Sequence, residues 1–85
     1  MEEKKIGEIT HYFDNISVGI IKLTDGSIGI GDKIHIKGAT TDFEQEIESL
    51  QIEHDDVEGA ETGEEVGTKV EKRVRGGDEV YKIIE

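Results

Sequence analysis

The sequence predicts an all-β fold of about six short antiparallel strands. Three observations carry that expectation. Eleven glycines and no proline in 85 residues mean that glycine makes the turns. Helical periodicity is poor: the best helical candidate, Asp55 to Glu61, places only Val57 and Ala60 three apart and is too short for more than one turn. Finally, Gly31-Asp32-Lys33-Ile34-His35-Ile36-Lys37-Gly38 alternates apolar and basic residues between two glycines, and Gly77-Asp78-Glu79-Val80-Tyr81-Lys82-Ile83 echoes it. Both read as a glycine turn feeding a half-buried strand.

The strands follow in chain order. Ile6 to Phe13 is the first; Ile9 and Phe13 share a phase with Gly7 and His11, and Ile6 falls on the other. Asp14-Asn15 makes the next turn. Ile16 to Leu23 is the second strand. It is apolar on both phases, which predicts cover on both sides or strong coiling, with Gly19 marking a bend, a bulge or a close backbone approach. Thr24-Asp25-Gly26-Ser27 turns, and Ile28 and Ile30 lead into the Gly31 stretch. There Ile34 and Ile36 face inward and Lys33, His35 and Lys37 outward. After the Gly38–Thr41 turn, Asp42 to His54 is the longest extended segment. Phe43 and Ile47 fall on one phase and Leu50 and Ile52 on the other, so a β-bulge is expected near Glu48-Ser49. A strand bent in this way suits a closed barrel. Asp55 to Glu65 is a connection anchored by Val57 and Ala60, with Gly63 as a turn. Val66, Val70 and Val74 share the next strand's inner phase, and Arg75-Gly76-Gly77-Asp78 turns into the last strand, Glu79 to Ile84.

Length and charge bound the possibilities. A chain of 85 residues is one domain, 1–85, with an ordered core expected over about 6–84 and frayed first residues. Its core is modest, since a domain this small buries roughly 60–65% of its unfolded surface. Cysteine is absent, which removes disulfides and thiolate metal sites. The longest apolar run, Val18-Gly19-Ile20-Ile21, is far short of a membrane span, and Met1-Glu2-Glu3-Lys4-Lys5 precedes no signal-like apolar stretch. A soluble, cytoplasmic protein with no membrane partner is expected. The net charge of −11 sits in one block. Eleven acids and no lysine or arginine lie between Gly38 and Thr68, and the remaining ten acids balance ten bases. Such a chain is a poor general binder of phosphate backbones, so any such contact needs a local cationic patch.

Motifs for chemistry are mostly missing. The glycines of Gly26 to Gly31 have no Gly-Lys-Ser/Thr and no following helix, and so read as turns and not as a phosphate cradle. His11, His35 and His54 lack metal-ligand spacing, and Glu53-His54-Asp55-Asp56 lacks a calcium-loop pattern. The serines and threonines show no nucleophile elbow. A non-enzyme with no metal and no cofactor is expected. Two cationic places remain: Lys33, His35 and Lys37 on the Gly31 strand, and Lys69, Arg73 and Arg75 on the valine strand, with Lys72 on the valine phase. The opposing surface is the acidic stripe Asp42, Glu44, Glu46 and Glu48.

The ordered spacing resembles a known family. Gly7-x-Ile9, Val18-x-Ile20, Leu23 and Ile30-Gly31-Asp32-x-Ile34-x-Ile36-x-Gly38 resemble the second, β-barrel domain of translational GTPases such as elongation factor Tu. So do Ile47-Glu48-Ser49-Leu50, Val57-x-x-Ala60-x-x-Gly63-x-x-Val66-Gly67 and Gly77-Asp78-x-Val80, and the likeness runs from about Ile6 to Ile84. In sequence detail, Thr10-His11-Tyr12-Phe13-Asp14, Thr41-Asp42-Phe43-Glu44-Gln45 and Glu48-Ser49-Leu50-Gln51-Ile52-Glu53-His54 look closer to small elongation-factor-like barrels. Those occur alone or as C-terminal modules of collagenase-like peptidase-family proteins.

The resemblance implies a closed six-stranded barrel of the translation-protein type that performs no chemistry. In the GTPases this barrel docks on the nucleotide domain and contacts RNA; this chain has no GTPase domain and an acidic middle. The function it implies first is a translation-elongation-factor-like binding module meeting RNA or a ribosome-associated partner. The contact points expected for it come from the chain's own cationic places, Lys33, His35, Lys37, Lys69, Arg73 and Arg75, and not from the resemblance. The alternative is a protein-interaction accessory module of a collagenase-like peptidase-family enzyme, docking through the acidic stripe.

Overall fold

Ten short strands run through residues 2–84, the part of the chain that the computed structural model describes, and no helix forms among them. They are β1 (Glu2–Phe13), β2 (Val18–Leu23), β3 (Ser27–Gly29), β4 (Lys33–Lys37), β5 (Asp42–Glu46), β6 (Gln51–Ile52), β7 (Asp55–Asp56), β8 (Gly59–Glu61), β9 (Glu65–Lys69) and β10 (Glu79–Ile84). Eight of them form one antiparallel sheet in the order β5-β4-β10-β1-β2-β9-β6-β7, and β3 pairs with β8 separately. The all-β expectation holds. Glu2 to Lys5, expected to fray, lie in the sheet paired with Ile84 to Tyr81.

A closed six-stranded barrel is not what forms. The sheet has eight strands with β5 and β7 at its ends; β5 pairs only with β4, and no backbone ladder closes the seam between it and the end of β9. The reason lies in the segment after β5. It does not continue as one bulged strand; the ladder stops over Ile47–Leu50, where the chain turns both Ile47 and Leu50 into the core. One side chain spans the open seam. The carboxamide of Gln45, on β5 and buried, donates from Nε2 to the carbonyl of Lys69 at 2.8 Å and accepts the amide of Glu71 at 2.9 Å. A primary amide offers the same donor and acceptor as a peptide group, so Gln45 stands in for a missing strand partner.

Three turns of one design hold the strands together. Gly31, Gly63 and Gly77 have φ of 93°, 95° and 96°, a region that L side chains rarely adopt. An acid follows each glycine, and its side chain accepts the amide three residues back. Asp32 takes Gly29 at 2.8 Å, Glu64 takes Glu61 at 2.9 Å, and Asp78 takes Arg75 at 2.8 Å. Each turn then grips one buried apolar residue elsewhere in the chain with two backbone bonds: Gly31 and Asp32 clasp Ile47, Gly63 and Glu64 clasp Leu23, and Gly77 and Asp78 clasp Ile9. An aliphatic residue two places after each acid (Ile34, Val66 and Val80) is fully buried. The sequence reading recognised the Gly31 and Gly77 members; Gly63 is the third, disguised by Glu in place of Asp.

Strand β1 carries the irregularity that was expected near Glu48-Ser49. Its register slips between Lys5 and Gly7 and again between Ile9 and His11. The first slip lets Ile6 and Ile9, on opposite phases, both enter the core. Gly7 lies so close to β2 that a Cβ there would run into the carbonyl oxygen of Lys22. Gly19 plays a milder version of this part: a Cβ would come 3.1 Å from Val74 and 3.5 Å from Val70. These valines do turn inward with Val66, but not on one strand. Strand β9 ends at Lys69, and Val70 and Val74 reach the core from the loop that follows.

Candidate interaction surface

Strand β4 places Ile34 and Ile36 in the core and turns Lys33, His35 and Lys37 outward, as alternation requires. Its neighbours decide what those cations meet. Across β5, Lys33 lies opposite Glu46, His35 opposite Glu44, and Lys37 opposite Asp42; across β10, Lys37 lies opposite Glu79 and His35 opposite Tyr81. The acidic stripe of Asp42, Glu44 and Glu46 and the basic residues of β4 therefore share one sheet face as cross-strand partners. Opposite charges so placed attract each other and lower the net potential of the stripe. Glu48 falls in the irregular stretch beyond β5 and is exposed.

His35 is the most constrained polar group on that face. Its Nδ1 meets Glu3 at 2.9 Å and its Nε2 meets Asp42, with the ring half-buried. Two carboxylates facing both nitrogens favour the imidazolium, so the His35 pKa rises above its ordinary 6.5, first through Asp42 and then through Glu3. His35 in turn holds Asp42 below the ordinary 3.8. A raised histidine pKa means that its contribution is complete below pH 6.5 and is lost as pH climbs through the folded value. A lowered Asp pKa means that its contribution is present above pH 3.8 and is lost as pH falls through the folded value. The stability gap between the parent and His35→Gln is thus expected to be widest between 3.8 and 6.5 and to shrink above that window. Melting temperatures across a pH series check this, and a gap that does not change with pH would refute it. Glu3, His35 and Glu44 also bring their ligand-type atoms within 4.8 Å of one another, a gathering the sequence did not reveal because they lie on three strands. Both ring nitrogens are already engaged by carboxylates in this arrangement.

The second set of predicted contacts is dispersed. Lys69 is exposed at the end of β9, and Arg73 and Arg75 are exposed on the loop before β10. They do not share a strand face with one another. Lys72, on the valine phase of the sequence, places its ammonium 6.0 Å from the centre of the Phe43 ring.

A different surface emerges on the outer face of β2. Its inner face contributes Gly19, Ile21 and Leu23 to the core; the outer residues Val18 and Ile20 are only half-covered. With Phe13, Ile16 and Ile52 they line an open groove of about 550 Å³, whose floor includes Gly67. Phe13 is 46% exposed and Ile16 55%, large values for such side chains. The charged groups lining the groove are Glu53, Glu64 and Glu65, with His54 beside them and no lysine or arginine. The apolar outer phase of Ile16–Val18–Ile20 was the sequence signal; the cover it seemed to require is absent among the described residues.

The rim is also conformationally strained. Glu53 and His54 join β6 to β7 with φ of 51° and 70°. Two successive positive φ values make the tight hairpin turn normally given to Asn-Gly. Replacing Glu53-His54 by Asn-Gly is expected to raise stability by about 1 kcal/mol, read from the urea midpoint. An unchanged or lowered midpoint would show that these side chains stabilise the turn.

No nucleophile–base pair assembles among the described residues. His11 stacks on Phe13 at 6.4 Å, His35 is held by carboxylates, and His54 sits on the groove rim. The hydroxyls of Thr10, Thr24, Thr62 and Thr68 bond to carbonyls or a carboxylate, not to an imidazole.

No protein-family model matches this chain. It is 43% identical over 82 residues to an uncharacterized protease of Methanocaldococcus jannaschii, covering 95% of this chain and 20% of that protein. It is 32% identical over 79 residues to a collagenase of Porphyromonas gingivalis, covering 92% of this chain and 22% of the collagenase. The chain thus spans about a fifth of the length of these curated relatives. Its fold matches the crystal structure of the C-terminal domain of a candidate U32 peptidase from Geobacillus thermoleovorans, with a TM-score of 0.87 and 18% identity over 95% of this chain and 93% of that one. The selenomethionine form of that domain agrees, with a TM-score of 0.85 and 18% identity over 91% and 96% of the two chains. These comparisons overturn the expectation of a translation-elongation-factor-like module. The relatives are described as a protease and a collagenase, and they support the collagenase-like half of the resemblance, not the elongation-factor half.

Proposed function

We propose that this chain is the non-catalytic accessory module of a collagenase-like, U32-type peptidase, contributing binding and not bond cleavage. The observation that carries this reading is the 43% identity across 95% of the chain to only a fifth of a protease. A segment of that size accompanies chemistry housed elsewhere in the relative. The lack of any assembled nucleophile–base pair among the described residues agrees with it, and so does the exposed apolar groove, since a module that docks needs surface to give.

Two measurements test the reading. The purified chain is expected to release no peptide from gelatin or casein. An affinity-tagged copy expressed in its native cell is expected to recover a peptidase-type polypeptide under conditions where nuclease treatment changes nothing. Gelatin cleavage by the purified chain alone would sink the non-catalytic part. Recovery that vanishes on nuclease treatment would replace the peptidase with a nucleic-acid partner.

A further inference from the structure

We infer that the groove formed by β2, β6 and β9 is the docking site for a segment of the peptidase-type polypeptide that presents an aliphatic or aromatic side chain beside lysine or arginine. This rests on the accessory-module reading and specifies where the contact lies and what chemistry it takes.

The apolar half of the partner follows from the floor and walls. Val18 and Ile20 line the groove from the face of β2 turned away from the core, Ile52 joins them from β6 while packing in part against the core, and Phe13 and Ile16 are its exposed apolar residues. Covering the exposed parts of these side chains removes apolar surface from water. Their volume suits a few side chains, not a whole helix bundle.

The cationic half follows from the rim. Every formally charged residue lining the groove is acidic: Glu53, Glu64 and Glu65. The surrounding block from Gly38 to Thr68 holds eleven acids and no lysine or arginine. A lysine or arginine entering beside the apolar anchor meets complementary potential at short range, which favours both encounter and register. The same field disfavours the other occupants. A second copy of this chain, docking groove to groove, would set acid against acid on a molecule already at −11. An acidic peptide or RNA would meet that repulsion without any lining cation to offset it.

The experiment uses short overlapping peptides that tile the remaining four-fifths of the Methanocaldococcus jannaschii protease, titrated into the isotope-labelled chain. Peptides with an apolar anchor beside lysine or arginine are expected to bind, to shift amides of β2, β6 and β9, and to weaken as salt is raised. Ile16→Asp and Glu65→Lys are each expected to weaken binding by about tenfold or more. Ile16 is exposed, so Ile16→Asp keeps the fold, and its unchanged melting temperature serves as the control. Shifts confined to the β4–β5 face, equal binding of acidic peptides, or self-association lost in Ile16→Asp would each overturn the proposal. Capture of a peptidase-type polypeptide by tagged parent and Ile16→Asp alike overturns the groove while leaving the accessory reading in place. Capture of none by either removes both.

Discussion

Gly7→Ala is expected to unfold this protein or to cost about 3 kcal/mol or more, the upper end for forcing an extra carbon into a packed site. The cause is steric and unusually direct. The new methyl would have to occupy the space of the Lys22 carbonyl oxygen, with a side-chain carbon of Ile21 only 3.2 Å away. A flexible side chain can swing aside; a strand backbone cannot without breaking the β1–β2 ladder. That ladder lies in the middle of the sheet and brings the register slip beside Gly7 against Leu23. Gly63→Ala makes a useful comparison. Its methyl would meet nothing within 4 Å, but the residue has φ of 95°, so only the left-handed penalty of about 1 kcal/mol applies. Urea denaturation of the two variants is expected to place Gly7→Ala well below Gly63→Ala, and the reverse order would refute the steric account.

Gln45→Leu is expected to lower stability by about 2–3 kcal/mol, although leucine is the more apolar residue in a buried place. The substitution strands the Lys69 carbonyl and the Glu71 amide, both of which Gln45 satisfies. Gln45→Glu separates the two bonds. It keeps an acceptor for Glu71 and places a carboxylate against the Lys69 carbonyl, so lowering the pH to protonate it is expected to recover part of the loss. Hydrogen exchange offers a local readout: the Glu71 amide is expected to lose protection in Gln45→Leu while the amides of β1 keep theirs. Equal loss across the whole chain would show a general core defect and not a broken seam.

The sequence announced those parts of the fold that depend on local alternation or on glycine. Strand β4 was legible because Ile34 and Ile36 alternate with three basic residues and both apolar residues are buried. The Gly31 and Gly77 turns were legible as an echo, while Gly63 was legible as a turn but not as a third copy, because the acid that follows it is one carbon longer. Ile47 and Leu50 rightly signalled a change of phase, but a phase change does not say whether a strand bulges or stops. It stops, because the Gly31 turn captures Ile47. The two slips in β1 were invisible because their cause is across the sheet, in β2 and β10. Gln45 looked like any polar strand residue, since nothing local distinguishes an amide that bridges a seam from one that faces water.

The candidate surface was legible in half. The outer apolar phase of β2 was read, but as a strand requiring cover instead of a groove offering itself. The β4 cations were placed correctly on the outer face. What alternation alone could not show was the register that sets them beside Asp42, Glu44 and Glu46. Charge on a strand acquires its meaning from the neighbouring strand, and that neighbour is fixed only by topology.

The three glycine–acid clasps also set the order in which the chain gains its structure. The Gly31 clasp closes on Ile47, a modest distance onward, whereas the Gly77 clasp reaches back to Ile9, and β10 must arrive before β1 has both of its neighbours. Closing such large loops is slow compared with forming local hairpins. During synthesis β1 therefore waits for β10, and its apolar residues lack one neighbour until nearly the whole module has emerged. Glycine in place of a bulkier residue at the clasps removes conformational resistance from that final step, so substitutions at Gly77 are expected to slow refolding more than those at Gly31. Stopped-flow refolding of the two alanine variants would reveal that difference in rate.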